Sequence, residues 1–149
     1  MIKRFGLYSL ALVTLFALTG LSHSTYAANT KNRASTPEKV VFQINDADPK
    51  KLYLALNAAM NVQTTYGKRN AIIEMIAFGP GVNLLTIESE AGQRIDEAIK
   101  AGIIVTVCEN TMKSMKLTEA DMLPALHYVP AGILEIMRKQ KAGYAYILP

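Results

Sequence analysis

Five short apolar stretches, rich in β-branched residues, alternate along the chain with longer segments whose apolar residues recur at helical spacing. Parallel strands need a crossover of a dozen or more residues, usually a helix, so this alternation predicts a parallel sheet covered by helices. The first two strand-to-strand intervals are close to the roughly 30 residues of a βαβ unit. The sequence therefore predicts an α/β fold, a three-layer α/β/α sandwich buried on both faces of the sheet. The predicted strands are residues 40–44, 71–78, 103–107, 126–129 and 144–148.

The helical segments between these strands carry start and stop signals. Asp48 followed by Pro49 predicts a capped start for the first helix, because proline is favoured in the first turn. Glycine just after a helical pattern predicts its end, as at Gly102. The predicted helices run from Pro49 to Gly67, over residues 89–101 and from Pro130 to Gly143, with a short helix over residues 118–123.

The N-terminal 27 residues have the layout of a secretory signal. A basic head at Lys3 and Arg4 precedes an apolar run through Leu21, and small residues precede a predicted cleavage site after Ala27. We therefore expect a periplasmic protein, exported through a cleaved signal peptide, with no stable membrane anchor after cleavage. The alternative is an uncleaved anchor, although the run is short for a membrane span.

The mature chain is predicted to hold a single domain. Residues 28–38 are polar and aperiodic, which predicts a flexible lead-in, and residues 39–149 suit one compact core. Removing Lys3 and Arg4 from the 16 basic residues leaves 14 against 12 acidic ones, a net charge of +2. With no basic run in the chain, this balance argues against nucleic acid as a partner.

The stretch "GIIVTVCENTM" places the only cysteine, Cys108, directly after a predicted strand. Ligands and reacting groups collect beyond the carboxyl ends of parallel strands. If Asn110 or Thr111 caps a following helix, free backbone N–H groups can stabilise the thiolate and lower its pKa. The alternative is a buried cysteine that only fills volume, since cysteine is among the most often buried residue types. No metal-ligand spacing is present, and no cofactor is predicted.

Two glycine-containing loops follow other strands. "FGPGVNLL" holds Gly79 and Gly81 after the second strand, and "VPAGI" holds Gly132 after the fourth. Glycine allows tight turns and close backbone approach, so both loops are candidate parts of a binding site or of a subunit contact. Plain turn chemistry is the competing interpretation.

The ordered set "QINDADPKKLYLALNAAMN", "FGPGVNLL", "AGIIVTVCENTM", "TEADMLP" and "VPAGILEIMRKQKAGYAYILP" resembles the exported branch of the DsrE/DsrF-like family. The resemblance implies a five-stranded parallel sheet of order 4-3-2-1-5 and a homo-oligomer, either dimer, trimer or hexamer. In cytoplasmic relatives, a cysteine at the end of the third strand, which Cys108 matches, accepts sulfane sulfur as a persulfide and passes it on. Many relatives have histidine where this chain has Phe78.

Two functions are therefore expected. The first is a sulfur carrier that uses Cys108 and exchanges sulfur with a donor and an acceptor protein. The second is a non-catalytic small-ligand-binding or oligomeric assembly subunit with a structural cysteine. The reactivity of the thiol in the folded protein distinguishes the two.

Overall fold

A computed structural model describes residues 36–149, which form an α/β domain. Its strands are β1 (Glu38–Ile44), β2 (Ala71–Ala77), β3 (Ile104–Cys108), β4 (His127–Val129) and β5 (Ala145–Ile147). Its α-helices are α1 (Pro49–Tyr66), α2 (Gly92–Ala101), α3 (Glu109–Met115) and α4 (Gly132–Lys141). Two 3₁₀ helices cover Gly79–Leu85 and Glu119–Asp121.

The five strands form one parallel sheet of order β4-β3-β2-β1-β5, as predicted. Three successive crossovers step from β1 outward to β4. The fourth, through α4, returns across the sheet to place β5 beside β1. At the carboxyl edge, Cys108 is the last residue of β3 and is paired with Val129 of β4.

The helix signals lie close to where the sequence predicts them, but α2 and α4 begin later than predicted, at Gly92 and Gly132. The side chain of Asp48 accepts a hydrogen bond from the N–H of Lys50 at 2.9 Å, which caps α1. Gly102 ends α2 in the left-handed conformation. α2 begins at Gly92 and not at Ser89, because the Ser89 hydroxyl oxygen accepts from the N–H of Ala91 in a turn that precedes the helix.

The two faces of the sheet are covered unequally. α1, α2 and α3 pack on one face, where a continuous apolar core includes Phe42, Leu56 and Ile95. α4 packs on the other, over a small cluster of Val41, Ile76 and Ile136. This is the predicted three-layer sandwich, but the helical layer on the second face consists of α4 alone among the described residues.

The glycine-rich segment after β2 is a helix and not an open loop. It forms the 3₁₀ helix Gly79–Leu85, whose residues Gly81, Val82, Leu84 and Leu85 are buried. The predicted short helix near Thr118 is also a 3₁₀ turn, in which Thr118 and Asp121 cap each other reciprocally. The first of these segments lies between β2 and α2, and the second lies between α3 and β4.

The predicted signal peptide lies outside the described residues, as does most of the predicted flexible segment. β1 begins at Glu38, one residue before the predicted start of the domain. Within residues 36–149, no helix has the length and apolar character needed to cross a membrane.

Candidate functional site

Cys108 lies where the chain leaves neighbouring strands toward opposite faces of the sheet. β3 continues into α3 on the face that also carries α1 and α2, whereas β4 continues into α4 on the opposite face. In open α/β sheets such a switch point leaves a crevice at the carboxyl ends of the strands, and ligands bind there. The only cysteine of the chain is thus at the one position of this sheet edge that the topology favours for a site.

The start of α3 and the start of α4 meet beside this cysteine. Cys108 Sγ lies 3.9 Å from the carbonyl oxygen of Pro130, to which the thiol donates a weak hydrogen bond. The same carbonyl accepts from the N–H of Asn110 at 3.2 Å. Pro130 precedes α4 by two residues. Its carbonyl therefore links the start of α4 to the start of α3, beside the sulfur of Cys108.

The thiol is buried yet surrounded by hydrogen-bond donors. Cys108 is 5% exposed, and burial by itself raises the pKa of its thiol. Hydrogen bonds to the thiolate from the Thr111 hydroxyl and from the backbone N–H groups of Gly132, Thr111 and Asn110 oppose this effect. Together the donors outweigh burial and hold the pKa of Cys108 below its ordinary value.

Gly132 packs directly against the side chain of Cys108. A Cβ at this position would lie 3.3 Å from Cβ of Cys108, 3.2 Å from Cβ of Phe78 and 3.3 Å from Cγ2 of Ile76. These separations are tighter than ordinary van der Waals contact, so only glycine lets the first turn of α4 approach the thiol this closely.

The two glycines after β2 have different surroundings. The N–H of Gly79 donates to the hydroxyl oxygen of Thr111 at 3.1 Å, which orients the side chain that reaches the thiol. A Cβ on Gly81 would collide with the backbone of Ile44 at the end of β1. The structure therefore brings Gly79, Asn110, Thr111 and Gly132 to Cys108, and places Gly81 in the packing between β1 and the 3₁₀ helix.

The predicted helix cap is wrong. Neither Asn110 nor Thr111 caps α3, because the helix begins at Glu109 and Cys108 itself is the N-cap residue. β3 runs into α3 with no intervening loop, and Asn110 and Thr111 lie within the first turn. From that position their N–H groups act to lower the pKa of the Cys108 thiol, although neither residue is the cap.

Sequence reasoning missed three contributors near this site. The carbonyl of Pro130 was hidden because backbone acceptors leave no trace in sequence. Glu74 and Thr106, which are buried on the same sheet face as α4, could have been recognised from the sequence. Each interrupts an apolar strand pattern, and a polar residue inside such a run signals a paired group in the core.

The arrangement suits a sulfur atom that carries negative charge. Four hydrogen-bond donors, on α3 and at the start of α4, lower the pKa of the Cys108 thiol, and the N-termini of these two helices are the positive ends of their dipoles. Among residues 36–149, no cluster of three or more His, Cys, Asp or Glu side chains is arranged to hold a metal ion. The chemistry that these described residues support directly is nucleophilic attack by a thiolate.

Residues 38–149 match the model of the DsrE/DsrF-like family. No curated protein gives a significant match. Among solved structures, the chain is similar to a protein of unknown function, MTH1491, from Methanobacterium thermoautotrophicum. The two are 29% identical, with a TM-score of 0.71, over 75% of this chain and 99% of that one.

Two more distant structures share the fold. BT1422 from Bacteroides thetaiotaomicron, a conserved protein of unknown function, is 17% identical with a TM-score of 0.65, over 79% of this chain and all of that one. The ychN protein from E. coli is 12% identical with a TM-score of 0.62, over 74% of this chain and 97% of that one. At these identities the likeness supports the fold alone.

Proposed function

Because the chain belongs to the DsrE/DsrF-like family, a sulfur-relay family, we propose that Cys108 accepts sulfane sulfur as a persulfide and passes it to a second thiol. The observation that carries the proposal is the set of donors around one sulfur: the hydroxyl of Thr111 and three backbone N–H groups lower the pKa of a buried thiol. A cysteine that only fills volume needs no such set.

The proposed reaction is two successive sulfur exchanges. The Cys108 thiolate attacks the terminal sulfur of a donor persulfide, a new S–S bond forms at Sγ, and the donor's S–S bond breaks to release its thiolate. An acceptor thiolate then attacks the terminal sulfur of the Cys108 persulfide and returns Cys108 to the thiolate. No net oxidation occurs in either step and no cofactor is needed. The hydrogen-bond donors that stabilise the Cys108 thiolate would also stabilise the anionic persulfide.

The low exposure of Cys108 makes a small inorganic donor the sharpest probe. We expect the purified protein, incubated with polysulfide, to gain the mass of one sulfur atom, and Cys108→Ser to gain none. Because Cys108 is the only cysteine, the mass change reports on one site. A wild-type protein that reacts with iodoacetamide but never gains sulfur would contradict the carrier proposal for this donor.

A second candidate function is favoured by the burial of the thiol and by exposed apolar side chains on α4. Cys108 is 5% exposed, while Ile133, Leu134 and Met137 are about half exposed. On this reading the protein is an assembly or ligand-binding subunit, and its cysteine is structural. A thiol that resists iodoacetamide until denaturant is added would favour this function over sulfur transfer.

We also propose that the protein is a homo-oligomer and that its donor and acceptor are proteins. Exposed apolar residues on α4, together with Ile147 and Leu148 near the C-terminus, support a subunit contact. Light scattering at tens of micromolar protein checks the oligomer, and a monomer alone would contradict it.

Periplasmic location is proposed from the signal-like N-terminus. The test is to measure the mass of the protein recovered from a periplasmic fraction. That mass should match a chain that begins at Ala28. Recovery of the uncleaved chain from membranes would contradict the proposal.

A further inference from the structure

A buried ion pair joins the middle of the sheet to the far end of α4. The Glu74 side chain, on β2, is 4% exposed. Its Oε1 accepts from the Thr106 hydroxyl at 2.7 Å, and its Oε2 pairs with Lys139 Nζ on α4. Carboxylates are almost never this deeply buried without such partners. The proposed sulfur chemistry uses none of these three residues.

Lys139 is held from several sides. Its Nζ lies 3.5 Å from Oε1 of Glu135 and 5.2 Å from the centroid of the Tyr144 ring. Burial by itself lowers the pKa of Lys139, but the Glu74 carboxylate and the other neighbours raise it by more than burial lowers it. The net pKa is raised, so the amine stays charged. The lysine is therefore a fixed cationic point between the helix and the sheet.

Apolar packing alone fixes α4 weakly. The residues of α4 that are buried are Gly132, at its start, and Ile136. Ile136 contacts a cluster with only Val41 and Ile76 as further fully buried members. Because few buried apolar side chains hold α4, directional contacts must contribute to its position on the sheet. The Glu74–Lys139 pair is a buried contact of this kind.

The ion pair and the sulfur site are connected through β3 and α4. Thr106 and Cys108 are two residues apart on β3 and so share a face of the sheet. Lys139 and Gly132 are seven residues apart on α4, about two turns. Because a helix moves as a unit, a shift at Lys139 becomes a shift at Gly132, where a Cβ would lie only 3.3 Å from Cβ of Cys108.

We propose that Glu74 and Lys139 are positioning residues: their buried ion pair fixes the place of α4 on the sheet and so holds the N–H of Gly132 beside the sulfur of Cys108. Thr106 supports the pair by fixing the Glu74 carboxylate. The inference rests on the proposed function, since the place of Gly132 matters only if the sulfur carries charge.

Two single variants and their combination separate positioning from simple electrostatics. In Glu74→Gln and in Lys139→Met the N–H of Gly132 is withdrawn, so both should raise the thiol pKa and slow iodoacetamide alkylation about threefold at a fixed pH below that pKa. Through-space charge alone predicts opposite shifts, because losing a carboxylate favours the thiolate and losing an amine disfavours it. The double variant should stay slow if positioning acts, and return to the wild-type rate if charge acts.

Opposite shifts, unchanged rates in both single variants, or a wild-type rate in the double variant would each overturn the proposal. An exposed pair on α2 provides the matched control: Asp96→Asn and Lys100→Met should leave the rate unchanged. Should Glu74→Gln fail to fold, Thr106→Val decides, because it changes no charge: slower alkylation supports positioning and an unchanged rate overturns it. No sulfur donor is used, so failure of polysulfide loading is a separate result.

Discussion

Replacing Thr111 by valine tests the source of the thiolate's stability most directly. Valine has nearly the shape of threonine but lacks the hydroxyl that donates to Cys108. The same hydroxyl oxygen accepts from the N–H of Gly79 at 3.1 Å, so the variant breaks two contacts at one atom. Thr111→Ser is the matched control, because serine keeps the hydroxyl and loses only a methyl group.

The size of the effect follows from the kind of bond that is lost. A hydrogen bond to a charged group contributes about 1.5–3 kcal/mol, and 1.36 kcal/mol corresponds to a tenfold change in the thiolate population. The three backbone donors remain, so the lower end applies. We expect Thr111→Val to raise the thiol pKa and slow alkylation about tenfold at a fixed pH below the pKa. The unpaired N–H of Gly79 should also cost about 1 kcal/mol of unfolding free energy.

Alkylation by iodoacetamide, followed across pH by intact mass, measures this rate with no interference from other cysteines. Urea denaturation of the same samples gives the unfolding free energy and the folded fraction at each pH. Thr111→Ser should alkylate within about twofold of the wild type, because its hydroxyl remains. If Thr111→Val and Thr111→Ser alkylate equally fast, the hydroxyl does not stabilise the thiolate and the reasoning is refuted.

Gly132→Ala should slow alkylation and lower the unfolding free energy by about 1–3 kcal/mol, because a Cβ meets three side-chain atoms at 3.2–3.3 Å; an unchanged rate would contradict the close approach of α4. Gly81→Ala should destabilise the fold more, through collision with the backbone of Ile44, yet leave the alkylation rate of folded protein unaltered; a slowed rate would place Gly81 in the site. Because the folded-state pKa of Cys108 is lowered, the wild type should gain stability over Cys108→Ser as pH rises from that pKa to the unfolded value of about 8.5, and lose it as pH falls. A pH-independent difference in urea denaturation would contradict this linkage.

Local chemistry made the individual elements predictable. Asp48 with Pro49 defines the start of α1 through a capping bond that needs only neighbouring residues, and Gly102 ends α2 in a conformation that glycine favours. The order of the strands could not be predicted from local patterns, because periodicity does not say which strands are neighbours. It came from the family resemblance, and the sheet has that order.

The surroundings of the cysteine were predictable only in part. Residues following Cys108 could be assigned to a helix start, but Asn110 and Thr111 are both good caps by composition, and tertiary contact overrode that preference. The N–H of Asn110 is bound by the carbonyl of Pro130, which follows it by 20 residues. Gly132 reaches the sulfur only because β4 pairs with β3, and no local pattern encodes that pairing.

The topology that creates the site also limits access to it. The donors that stabilise a charged sulfur come partly from α4, and their closeness buries Cys108 to 5% exposure. A sulfur donor must nonetheless reach Sγ, so charge stabilisation and access make opposite demands on the first turn of α4. β4, which leads into that turn, is a three-residue edge strand with no fully buried side chain. Segments with few buried contacts open at the lowest free energy, so we expect a sulfur donor to reach Sγ by local release of β4, while the Glu74–Lys139 pair keeps α4 on the sheet.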